Sequence, residues 1–123
     1  MRAIGLTFNN EGIARLPDGI SVLVHNASFA DDESFPLPQH PGWGEVVSTT
    51  DETYMKFLVQ ENGDVILVIA SDNMAITDTG DDSGDICVYD DGGTLTLTNR
   101  TGGAEQISLI YYFQDETEFA AEV

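Results

Sequence analysis

Along most of this chain apolar residues recur at alternate positions in short runs, and a cluster of glycine, asparagine, aspartate or proline interrupts them at regular intervals. A period of two places one face of an extended strand against a core, whereas an amphipathic helix needs a period near 3.6, and no stretch here carries it convincingly. The runs predict strands over Arg2 to Phe8, Ile20 to Val24, Thr53 to Gln60, Asp64 to Ala70, Ile86 to Tyr89, Thr94 to Thr98 and Gln106 to Gln114. Glu61-Asn62-Gly63-Asp64 joins two of them through an Asn-Gly pair, which tolerates the positive φ angles of a tight hairpin. Asp90-Asp91-Gly92-Gly93 joins another two. Seven or eight short strands spaced by turns predict an all-β fold, an antiparallel β-sandwich or barrel of immunoglobulin-like or jelly-roll type. We expect one domain over residues 1–114, with residues 115–123 as an acidic C-terminal tail or docking arm.

The composition of individual strands predicts their depth. Val65 to Ile69 is continuously apolar, the pattern of a strand buried on both faces that anchors the core. Leu95 and Leu97 share one face of their strand and three threonines the other, as in a half-buried strand. In the final strand Ile107, Leu109, Tyr111 and Phe113 occupy one side, while Ile110 and Tyr112 load the other, predicting contact with another layer or another subunit. Cys87 is the only cysteine, so no internal disulfide forms, and its strand neighbours Ile86 and Val88 predict a buried thiol.

Twenty-two acidic residues oppose four basic ones, a formal net charge of −18, and Lys56 is the sole lysine. Such a field repels nucleic acid and anionic membranes and destabilises the compact state by self-repulsion, so added salt is expected to stabilise the fold. No run approaches the ~18 apolar residues of a membrane span, and the N-terminal residues lack the apolar core and cleavage site of a signal peptide. Asn26-Ala27-Ser28 and Asn99-Arg100-Thr101 match glycosylation acceptors but read as ordinary turn residues.

Two segments break the strand rhythm. Asp31 to Gly44 is predicted as a long loop stiffened by Pro36, Pro38 and Pro41, with Phe35, Leu37 and Trp43 either docking onto a partner or folding back to plug the sandwich. Trp43 would also suit stacking on a sugar ring. Asp78-Thr79-Gly80-Asp81-Asp82-Ser83-Gly84-Asp85 gathers the hard oxygen donors that calcium prefers, and Asp78, Asp81, Asp82 and Asp85 are the candidate ligands. It is not an EF-hand: counted from Asp78, the glycine and glutamate positions of that loop hold Ser83 and Tyr89. A solvated acidic turn is the simpler account of the segment. Neither His25 nor His40 lies in a zinc-ligand pattern, and no nucleophile elbow or phosphate-binding glycine loop is present, so no enzymatic activity is expected.

The last thirty residues carry an Asn99-Arg100-Thr101-Gly102-Gly103 turn followed by the strand Ala104-Glu105-Gln106-Ile107-Ser108-Leu109-Ile110-Tyr111-Tyr112-Phe113. In this the chain resembles small all-β accessory virion proteins of tailed bacteriophages, head-decoration or cement proteins and short tail components. The resemblance implies a non-enzymatic structural protein located in the virion. It also implies a homo-oligomer, with a trimer favoured, that decorates or stabilises the capsid through contacts with capsid or other virion proteins. Interface positions expected from exposure are Phe35, Leu37, Trp43, Tyr112 and Phe119. The alternative from another class is a carbohydrate- or calcium-binding β-sandwich module.

Overall fold

The computed structural model describes residues 8–16, 19–50, 52–71, 74–76, 84–91 and 93–114. Ten strands occur among them: β1 (Ile13–Arg15), β2 (Ile20–Phe29), β3 (Ser34–Pro36), β4 (Gly42–Ser48), β5 (Thr53–Val59), β6 (Val65–Ala70), β7 (Met74–Ile76), β8 (Ile86–Asp91), β9 (Thr94–Asn99) and β10 (Glu105–Gln114). They form two sheets, one of six strands in the order β1-β2-β10-β4-β5-β6 and one of four in the order β3-β9-β8-β7. Neighbouring strands are antiparallel except β7 and β8, which run parallel. The chain is therefore an all-β sandwich, and neither sheet closes into a barrel. The predicted strand at Arg2 to Phe8 falls almost wholly outside the described residues, as does the tail 115–123.

The two sheets meet through side chains of alternate positions. Ile107, Leu109, Tyr111 and Phe113 of β10 face inward with Val46, Met55 and Phe57 of the same sheet, against Ile86, Val88, Leu95 and Leu97 of the small sheet. Phe57, Tyr111 and Phe113 stack in sequence, with ring centroids 5.8 Å apart at each step. Tyr111 donates its hydroxyl to the carbonyl of His40 at 2.6 Å, and burial raises its phenol pKa well above the ordinary value, keeping it neutral as that bond requires. Cys87 is buried in β8, as its flanks predict.

The predicted hairpin at Asn62-Gly63 forms between β5 and β6. Gly63 has φ of 90°, and Asn62 Oδ1 accepts the Asp64 amide. The Asp90 turn between β8 and β9 is closed by its own carboxylate, which accepts the amide of Gly93 at 2.7 Å.

Several strand assignments change. The segment 31–44 is not one loop: it contains β3, which pairs with β9, and the first residues of β4, the strand between β10 and β5. Pro36 ends β3 at a sheet edge, where its missing N–H costs no ladder bond. β2 runs on through His25, Asn26 and Ala27 to Phe29, so the Asn26 acceptor sits in a strand, where its Oδ1 binds Gln106 and Ser108. The depth predictions for two strands exchange. β9 is buried on both faces, Thr96 and Thr98 included, with Thr98 bonded to Ser34 of β3. β6, the continuously apolar run, is the outermost strand of the large sheet, and Ile66, Leu67, Val68 and Ile69 are 41%, 43%, 52% and 57% exposed. An apolar run records compatibility with burial; which neighbours it acquires is decided by sheet order.

Candidate functional site

Residues directly opposite one another in an antiparallel ladder project from the same face. On the side of the large sheet turned away from the core, Val22 of β2 lies opposite Tyr112 of β10, Tyr112 opposite Trp43 of β4, Trp43 opposite Leu58 of β5, and Leu58 opposite Ile66 of β6. One row of aromatic and aliphatic side chains thus crosses five strands. The next row runs through Val24, Ile110, Glu45, Lys56 and Ile69. Trp43 and Tyr112, predicted as separate interface positions, stack with centroids 4.2 Å apart and planes inclined by 27°. Trp43 remains 40% exposed, and the Lys56 ammonium stands 5.9 Å from its ring centroid, within reach of a cation–π contact. Tyr54 donates its hydroxyl to Glu45 at 2.7 Å, and that bond raises the Tyr54 pKa by favouring the protonated phenol. A shallow pocket of about 190 Å³ opens beside the stack, lined by Ile20, Pro41, Gly42 and Gln114.

The electrostatics of this sheet differ from those of the whole chain. Of 22 acidic residues only Glu45 and Glu105 lie within its six strands, matched in number by Arg15 and Lys56. Glu105 is buried and accepts the Ser48 hydroxyl at 2.6 Å. The exposed outer face therefore carries Glu45 and Lys56, opposite each other in register, on a chain of net charge −18.

The remaining sequence candidates go elsewhere. Leu37 is a core residue whose amide bonds Leu95, so the segment after β3 folds back as a plug and Leu37 offers no surface to a partner. Phe35 is half-buried, with its ring stacked on His25 at 3.9 Å. Both histidines line an open cleft of about 860 Å³ between β2 and the segment Phe35 to His40, a meeting that their fifteen-residue separation did not reveal. Burial of the His25 ring against Phe35 and Phe29 lowers its pKa below 6.5, outweighing the opposite pull of Glu33. A depressed folded-state pKa means that the neutral ring contributes stability above pH 6.5, and that this contribution is lost as pH falls through the folded value. An NMR titration is expected to give His25 a midpoint below 6.5; a midpoint at or above it would contradict the packing argument.

Phe119, Asp78, Asp81 and Asp82 lie outside the described residues. Asp85 accepts the Arg100 amide through its backbone carbonyl. Among the described residues no group of three or more His, Cys, Asp or Glu side chains gathers as a metal cluster. The residues that sequence reasoning missed are Lys56, Leu58, Ile66 and Ile69; the signal for them was strand parity, readable only once the sheet order is known. No protein-family profile, curated protein or solved structure matches this chain.

Proposed function

We propose that this protein is a non-enzymatic structural component, of the virion-decoration class, that assembles into a small symmetric oligomer through the outer face of its large sheet. The observation that carries this reading is the scarcity of acid on an apolar face: Tyr112, Trp43, Leu58 and Ile66 form one row on the surface of a chain that is strongly negative overall. Two bodies of charge −18 repel least where their contact surfaces carry few acids, and this face carries Glu45 alone, matched by Lys56. A second copy is the occupant it suits, because adjacent Glu45 and Lys56 can each meet the opposite charge on an identical neighbour. Exposed aromatic residues at the middle of a neutral patch are the side chains that dominate such contacts. Capsid or another virion protein is the further partner that this class of component takes.

Light-scattering mass on a sizing column at high salt, with calcium and again with a chelator, tests the reading. The expected result is an oligomer that is indifferent to the chelator. Trp43→Ala combined with Tyr112→Ser should lower the mass while the circular dichroism of the fold is retained. A monomeric wild type, or an unchanged mass in the folded double variant, rejects face-mediated assembly. Loss of glycan capture in Trp43→Ala at constant mass would favour a carbohydrate module instead, and a monomer whose stability responds only to calcium would point to the aspartate loop.

A further inference from the structure

We propose, building on the self-assembly reading above, that β6 is a pairing edge: the β6 strands of two copies join antiparallel across a twofold axis and make one continuous sheet from two. Exposed sheet edges are ordinarily protected by shortness, charge, proline or a bulge. Three of the four edges among the described residues follow that rule. β1, β3 and β7 are three residues long, and β1 carries Arg15 while β3 ends in Pro36. β6 is six residues long, Val-Ile-Leu-Val-Ile-Ala, with neither charge nor proline, and its one irregularity is a bulge at Val68. Its outward backbone groups and its exposed side chains offer a second strand both ladder hydrogen bonds and apolar cover.

The register of such a pair follows from a bulge. The β5–β6 ladder shifts between Lys56 and Phe57, so that Ile66 opposite Leu58 and Ile69 opposite Lys56 share the outer face although they are three residues apart. Val65 and Ala70 likewise both pack toward the core. A twofold axis between Leu67 and Val68 therefore sets Ile66 against the second copy's Ile69, and Val65 against its Ala70, with each face kept in register. It also lays Asp64 against Ser71 rather than against another Asp64, so the strand-end acids do not meet.

Because this pairing is isologous, the wild-type subunit number must be even, and Val68→Lys, which leaves both outer-face rows untouched, should halve the mass at high salt while leaving the circular dichroism spectrum intact. An odd number, such as an isolated trimer, overturns the proposal, as does an unchanged mass in the folded variant. Hydrogen exchange on the wild type gives a second test that needs no variant: protection of amides in residues 65–70 should fall as the protein is diluted, and protection independent of concentration overturns it. The two surfaces fail separately. Sensitivity to Trp43 and Tyr112 with indifference to β6 retains face assembly without the edge, and the reverse retains the edge alone.

Discussion

Asn99→Ala is expected to lower stability by about 3–5 kcal/mol, a fall in thermal midpoint of roughly 10–20 °C for a domain of this size. Asn99 is fully buried at the end of β9, and its side chain binds two separate segments, 29–30 and 101–103. Nδ2 donates to the carbonyls of Phe29 at 3.1 Å, Ala30 at 3.3 Å and Gly103 at 2.8 Å, while Oδ1 accepts the amide and the hydroxyl of Thr101. Alanine removes all five bonds and strands buried backbone groups with no replacement, the costly side of the hydrogen-bond balance. Thr101→Ala removes the bond from the Thr101 hydroxyl to Oδ1 but leaves the Nδ2 bonds, so it should cost about 1 kcal/mol. Urea denaturation of both variants measures the difference, and an Asn99→Ala loss no larger than that of Thr101→Ala would refute the bridging role. The same bonds explain why the Asn99-Arg100-Thr101 acceptor is closed to modification in the folded chain: the Nδ2 that would be glycosylated is buried and engaged.

Gly42→Ala should cost about 3 kcal/mol and disturb the assembly face at the same time. A Cβ at Gly42 would lie 2.0 Å from the carbonyl oxygen of Tyr112 and 2.9 Å from Cα of Phe113, both backbone atoms of β10 that no rotamer change can clear. β4 must then move away from β10 next to the rung at which Trp43 stacks on Tyr112. Trp43 is the only tryptophan, so its fluorescence reports that rung directly, and a red-shifted emission should accompany the lowered midpoint. Gly103→Ala is the control: nothing lies within 4 Å of the added carbon, and a change within about 0.5 kcal/mol is expected. Equal effects at the two glycines would show that strand approach at Gly42 is not limiting.

How much of this could be read from the chain depends on which interaction fixed each feature. The β5–β6 hairpin was legible because its determinant is local, with Asn62 and Gly63 carrying the turn chemistry in two adjacent residues. The two faces of β10 were legible because side-chain direction alternates within one strand, and Ile110 and Tyr112 do project opposite to the core set. β4 was missed because Gly42-Trp43-Gly44 reads as loop, yet glycine there is what allows β4 to approach β10 closely. The interface position at Leu37 failed because its burial depends on the segment after β3 folding back over β9, which proline spacing does not encode.

By itself the sequence determined the class of fold, through the period of its apolar residues, and the net charge of −18, which composition sets whatever the fold. Tertiary structure alone decided that Val65–Ala70 is an exposed edge while Thr94–Asn99 is enclosed, and that Trp43, Tyr112, Leu58 and Ile66 form one row. The physical reason is range. Alternation and turn chemistry act between residues a few positions apart, whereas sheet order is the outcome of pairing segments far apart in the chain, such as β2 with β10. That pairing is selected by the summed burial of both sheets, which no single run of residues carries.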